Sequence, residues 1–173
     1  IMYQTEEPKV RELVAGVRDF TRETLEGLRH LAVNLHPPLL DYLGLVVAIE
    51  KYLDTYRQTQ PGLTVIFHHD GDISCVSRPV ALFCYRMVQE GLTNIARHAQ
   101  AHTVTIELHV LPSKLTLSVR DDGIGFSADR AERARLDNHL GLVSMRERTD
   151  VLNGTFAIDS HPGKGTTLTI SLP

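Results

Sequence analysis

The stretch Val88-Gln89-Glu90-Gly91-Leu92-Thr93-Asn94-Ile95-Ala96-Arg97-His98-Ala99 gives way within a few residues to Thr103-Val104-Thr105-Ile106-Glu107-Leu108-His109-Val110. Two periods meet there. Val88, Leu92, Ile95 and Ala99 recur at helical spacing on one face, while Glu90, Asn94, Arg97, His98 and Ala101 fall along another. In the second half Val104, Ile106, Leu108 and Val110 alternate with polar residues, the signature of a half-buried strand. The same alternation returns at Leu115, Leu117 and Val119, at Phe156 and Ile158, and at Leu168, Ile170 and Leu172. A helix feeding a set of antiparallel strands, each with one wet or helix-covered face, predicts an α+β fold.

Working outward, Ser77 is the expected N-cap of that helix, which should run to about His98. Upstream, Pro61-Gly62 turns the chain into a strand over Leu63 to His68, and Asp70-Gly71-Asp72 makes the next turn. An earlier helix is expected from about Leu39 to Gln58, interrupted at Gly44. Pro37-Pro38 stops whatever precedes it, because proline lacks the amide donor and disfavours a helical residue before it. From Glu6 to Leu35 the residues Leu13, Val17, Phe20, Thr24, Leu28, Leu31 and Leu35 predict one long amphipathic helix, whose stripe needs a partner helix to cover it. Downstream, Ser127 to Asn138 is charged and aperiodic, and a helix near Leu142 to Leu152 ends at Asn153-Gly154.

Composition narrows the function. The 173 residues are 42% hydrophobic, enough for a core. Eighteen Lys and Arg against 21 Asp and Glu give a net charge of -3, and the basic residues are scattered, so no nucleic acid partner is expected. The longest apolar run, Leu43 to Ile49, is far short of the roughly 20 residues that cross a bilayer, so no membrane contact is expected of this chain. Cys75 and Cys84 lack metal-ligand spacing, which makes a reducing, cytoplasmic setting the default.

A carboxylate, an amide, a guanidinium and an imidazole lined up at Glu90, Asn94, Arg97 and His98 suit a hydrated Mg²⁺ and its phosphates, since Mg²⁺ takes few protein oxygens and keeps waters. Taken alone, the same face also fits a solvated surface helix. Asp121-Asp122-Gly123-Ile124-Gly125-Phe126 follows a strand and sets a carboxylate beside two glycines, which let backbone approach a flat ligand whose exocyclic amine the carboxylate accepts. Leu140-Gly141-Leu142 opens a helix whose free N–H groups suit phosphate, and Gly163-Lys164-Gly165-Thr166 precedes the last strand. Three glycine sites in this order after an Asn-bearing helix are far more specific than any one of them.

At this point a family resemblance emerges. Gln89 to Ala99 resembles the N box of sensor histidine kinases, Asp121 to Phe126 their first glycine box, Leu140 to Arg148 the second, and Pro162 to Thr166 the third. The Arg97-His98-Ala99 ending and Met145-Arg146-Glu147-Arg148 are similar to the nitrate-sensor-like subfamily. Leu35-His36-Pro37-Pro38-Leu39-Leu40 with Gly44-Leu45 resembles the link between that subfamily's dimerisation helices and its ATPase domain. The resemblance implies a two-layer α/β sandwich, the Bergerat ATP-binding fold (GHKL), with a mixed sheet and helices on one face. It implies that residues 1–36 are the second helix of a dimerisation and phosphotransfer domain and residues 37–173 the ATP-binding catalytic domain.

The resemblance further implies ATP and Mg²⁺ as cofactors. Asn94 would ligate Mg²⁺, Glu90 would serve catalysis by ordering or activating groups near the metal, and Arg97 and His98 would lie close to the phosphates. Asp121 would receive the adenine amine, Gly123 and Gly125 would shape its pocket, and Gly165 with Thr166 would form the floor. Gly141 and Leu142 would form the phosphate end of a mobile lid over Ser127 to His139. His139 stands where the second glycine box would have its first glycine, which departs from the family pattern. No histidine here resembles the acceptor, a His followed by an acidic residue on a helix; His69-Asp70 reads as surface, like His102, His109, His139 and His161, and neither His30 nor His36 has that context. The chain is therefore expected to be the later part of a homodimeric kinase that serves a response regulator, with the acceptor helix upstream. An ATP-hydrolysing relative of the same fold and a nucleotide-inactive helical interaction module are the alternatives.

Overall fold

Gly44 shapes the first helix of the computed structural model, which describes residues 38–127 and 140–173. Helix α1, Pro38–Thr59, carries Gly44 at φ 81°, ψ 176°, inside the left-handed φ range that glycine enters without cost, so the helix is kinked at the expected interruption. Beyond the kink Leu45, Ala48, Ile49 and Leu53 are buried at helical spacing. The chain divides into two units, Ile1–Pro38 and Leu39–Pro173. The helix expected over Glu6 to Leu35 lies outside the described residues, as do all residues after Ser127 in the expected lid.

Strand β1, Thr64–Gly71, runs further than expected, because its backbone stays paired in parallel with β2, Thr103–Leu111, from Thr64 opposite Thr103 to Gly71 opposite Val110. The turn expected at Asp70-Gly71-Asp72 thus begins later. Asp72 opens it, its carboxylate accepting the Ser74 N–H at 3.0 Å and capping a single 3₁₀ turn, Ile73–Cys75.

Helix α2 spans Arg78–His98, with Pro79 in its first turn and Ser77 at the N-cap position in extended conformation. The Ser77 side chain makes no capping bond; its carbonyl accepts the Ala81 N–H at 2.8 Å. Val88, Leu92, Ile95 and Ala99 are buried, as their spacing predicts. Ala101 falls off the polar face, because the helix ends at His98 and Gln100 turns to φ 51°. The Tyr56 hydroxyl of α1 donates to the Leu92 carbonyl at 3.0 Å, which braces α1 against the middle of α2.

Strands β3 (Lys114–Asp121), β4 (Thr155–Ser160) and β5 (Thr166–Leu172) complete a five-stranded sheet in the order β1-β2-β3-β5-β4. All pairings but β1 with β2 are antiparallel, so the sheet is mixed. Helix α3, Leu140–Val151, begins slightly earlier than expected and closes where Asn153, at φ 54°, lets the Gly154 N–H reach the Thr149 carbonyl at 3.0 Å. The alternating apolar residues of β2, β3 and β5 form one buried cluster with Ile49 and Leu53 of α1, Val88 and Leu92 of α2 and Met145 of α3. Intervening residues such as Thr105, Glu107 and Ser118 face the opposite side of the sheet. Among the described residues no helix is long and apolar enough to cross a membrane, and Cys75 and Cys84 are free thiols.

Candidate functional site

Helices and strands converge on one cavity of about 480 Å³. α2 offers Glu90, Asn94, Arg97 and His98, β3 ends on Asp121, and the first turn of α3 brings Gly141 and Leu142. The antiparallel register sets Asp121 opposite Thr166 and Val119 opposite Leu168. Since alternate residues of a strand share a face, Val119 and Leu168 form an apolar wall behind that polar pair, extended by Ile95 and Ala99 of α2. The geometry therefore divides the cavity into an apolar end with a carboxylate and a polar end along α2.

The apolar end is held by backbone bonds. The Ile124 N–H donates to the Ala99 carbonyl at 2.8 Å, and the Gly163 N–H donates to the Ile124 carbonyl at 2.7 Å. Asp121 is only 5% exposed, and its Oδ1 accepts the Gly123 N–H at 2.8 Å. Burial pushes its carboxyl above the ordinary aspartate range, opposed by the Gly123 and Thr166 N–H groups. Its neighbour Asp122 behaves in the opposite way. Its exposed carboxylate accepts the Thr103 N–H at 2.9 Å and the His102 N–H at 2.8 Å, bonds that hold its pKa low and anchor the start of β2.

Gly123 and Gly165 do not line the cavity; they back Asp121. A Cβ on Gly123 would strike the Ala99 carbonyl, and one on Gly165, which sits at φ 77°, would strike the Asp121 carbonyl. Gly125, at φ 57°, does line it and would likewise meet the His161 and Gly165 carbonyls. These glycines permit loop backbones to close onto the carboxylate, so two of the expected pocket residues shape the pocket from behind.

At the polar end Glu90 and Asn94 lie a helical turn apart against the start of α3, where a Cβ on Gly141 would meet the Glu90 carboxylate. That carboxylate sits beside the N-terminus of α3, a favourable place for negative charge. The Asn94 Nδ2 is buried and has no hydrogen-bond partner among the described residues. An orphaned buried amide costs free energy unless a ligand satisfies it. Arg97 and His98 stand exposed at the rim. Among the described residues no group of three or more His, Cys, Asp or Glu side chains could hold a metal by itself.

Sequence reasoning missed Ser160, whose hydroxyl bridges the loop at Phe126 and the loop at Gly165-Thr166. It also missed the wall residues Val119 and Leu168, although each lies two places from an expected site residue on the same strand face.

Comparison with known proteins agrees with this geometry. The family described as histidine kinase-, DNA gyrase B-, and HSP90-like ATPase matches residues 80–173. The signal transduction histidine-protein kinase/phosphatase DegS of Brevibacillus brevis is 32% identical over 160 residues, covering 92% of this chain and 40% of that protein. The sensor histidine kinase LiaS of Bacillus subtilis is 32% identical over 165 residues, covering 95% and 44%. The chain thus spans less than half the length of these relatives. The histidine kinase domain of the Erythrobacter litoralis EL346 blue-light activated histidine kinase superposes with a TM-score of 0.59 at 22% identity, over 75% of this chain and 60% of that one, a likeness of fold. The chain belongs to the histidine kinase-, DNA gyrase B- and HSP90-like ATPase family and carries the ATP-binding catalytic domain of the sensor histidine kinase type.

Proposed function

We propose that residues 37–173 bind ATP with Mg²⁺ and, in the whole protein, position its γ-phosphoryl for transfer to a histidine on a dimerisation helix. The observation that carries this reading is one cavity that joins the buried Asp121 carboxylate to the Asn94 Nδ2, which has no partner among the described residues. Asp121 accepts the adenine amine, and Val119, Leu168, Ile95 and Ala99 cover the ring, excluding water. Asn94 faces the phosphates, and its amide oxygen supplies one ligand to Mg²⁺. When bound, Mg²⁺ would neutralise phosphate charge while keeping water and phosphate oxygens among its ligands. Glu90 orders groups near the metal, while Arg97 and His98 at the rim attract the triphosphate. Phosphoryl transfer of this kind depends on positioning and charge neutralisation.

On the same reading, residues 1–36 form a dimerisation-type helix, the whole kinase is a homodimer in the cytoplasm, and a response regulator takes the phosphoryl group. The sequence motifs favour the nitrate-sensor-like subfamily. The test is photo-crosslinking with 8-azido-ATP followed by peptide mapping. Label is expected on peptides from residues 119–126 and 160–168, displaced by ATP and poorly by GTP. Label elsewhere, or label that ATP does not displace, would overturn the proposal.

A further inference from the structure

Ser160 closes β4 outside the cavity wall, yet its hydroxyl touches both loops that make the apolar end. It accepts the Phe126 N–H at 2.9 Å, lies 3.2 Å from the Gly165 carbonyl oxygen, and lies 2.9 Å from the Thr166 hydroxyl. Phe126 and Thr166 both line the cavity. A serine hydroxyl has one proton and two lone pairs. With Phe126 on one lone pair, the proton goes either to the Gly165 carbonyl or to Thr166 Oγ1. The choice sets what Thr166 presents: in the first case its own proton returns to Ser160, and in the second that proton is free to enter the cavity.

Asp121 and Thr166 are directly opposite in the β3–β5 register, so their side chains stand side by side on one face. A carboxylate acceptor next to a hydroxyl donor matches the edge of adenine, where an amine adjoins a ring nitrogen that accepts. Guanine presents the inverse pair, a carbonyl next to a ring N–H. We propose that Ser160 is a positioning residue for base recognition: with a base bound it gives its proton to Thr166 Oγ1, 2.9 Å away, in place of the longer 3.2 Å contact with the Gly165 carbonyl, which frees the Thr166 O–H to donate to the ring nitrogen of adenine beside the amine that Asp121 accepts. The inference rests on the nucleotide-binding reading above and adds to it a residue that acts through Thr166 and not by contact with the base.

The test compares ATP and GTP affinities, by displacement of a fluorescent adenine nucleotide, for the full 173-residue chain and for Ser160→Ala, Ser160→Thr and Thr166→Val. Ser160→Ala is expected to weaken ATP by roughly three- to tenfold, the worth of about one hydrogen bond, and to leave GTP within about twofold. Ser160→Thr keeps the hydroxyl and should restore the ATP preference. Thr166→Val should lose the same discrimination as Ser160→Ala, and combining the two should lose no more. Equal weakening of ATP and GTP, or an ATP-to-GTP affinity ratio unchanged from the unaltered chain in both single variants, would overturn the role of Ser160. No binding of ATP by the unaltered chain would overturn the nucleotide reading itself.

Discussion

Replacing Asp121 with asparagine alters one charge in a side chain of nearly unchanged shape, at a position whose hydrogen bonding the fold dictates. In Asp121→Asn the amide oxygen keeps the bond that Oδ1 takes from the Gly123 N–H at 2.8 Å, which leaves Nδ2 facing the cavity. An adenine amine then meets a donor in place of an acceptor. A hydrogen bond to a charged group is worth about 1.5–3 kcal/mol, so ATP affinity should fall roughly ten- to hundredfold. GTP, whose carbonyl accepts from Nδ2, should bind as before or better. Stability moves the other way. Burial raises the Asp121 carboxyl pKa above its unfolded value, so the group contributes stability fully below the unfolded pKa and loses it as pH rises through the folded one. At neutral pH the charged carboxylate is the less comfortable native group, and Asp121→Asn should melt no lower than the unaltered chain. As pH falls, protonation of Asp121 should weaken ATP binding from a pH above the ordinary aspartate range, a step that the variant lacks. Isothermal titration with both nucleotides, alongside thermal denaturation, measures each quantity. An ATP affinity within about twofold of the unaltered chain would refute the role of Asp121.

Asn94→Ala should abolish the tightening of ATP binding by Mg²⁺ while preserving the melting temperature, since it removes a buried amide nitrogen that has no partner among the described residues; titration with and without Mg²⁺ checks this. Gly165→Ala forces a Cβ into φ 77° against the Asp121 carbonyl. The backbone strain alone costs about 1–2 kcal/mol, so the melting temperature should drop by roughly 2–8 °C, and an unchanged midpoint would contradict so close an approach. Incubated with Mg²⁺ and γ-labelled ATP, the chain should gain no acid-labile phosphohistidine, because His69 is the one histidine followed by an acidic residue and it lies on a strand, not a helix; stoichiometric label mapped to any histidine of the chain would overturn that expectation.

The sheet was legible because alternation at Val104 to Val110, Leu115 to Val119 and Leu168 to Leu172 depends only on one face being buried. Strand direction leaves no such mark, so the parallel pairing of β1 and its continuation to Gly71 were not visible. Gly44 announced its kink, since a glycine within an otherwise helical pattern is a local signal. At the site, the residues of α2 and the ends of β3 and β5 could be named because their spacing or their box sequence is local. Ser160 and Asp122 could not, because their partners stand 34 residues away at Phe126 and 20 residues away at His102. That Gly123 and Gly165 shape the pocket from behind Asp121 was not legible for a related reason: what a glycine permits is decided by the backbone that approaches it.

The most direct measurement is the equilibrium binding of ATP to the unaltered chain by isothermal titration calorimetry, with Mg²⁺ present and then chelated, and with GTP in place of ATP. The account predicts one saturable site, tighter with Mg²⁺, and a preference for ATP over GTP of about tenfold or more, since an unpaired buried acceptor costs roughly 1–3 kcal/mol. Equal affinity for the two nucleotides, or no saturable binding of ATP at millimolar concentration, would contradict it.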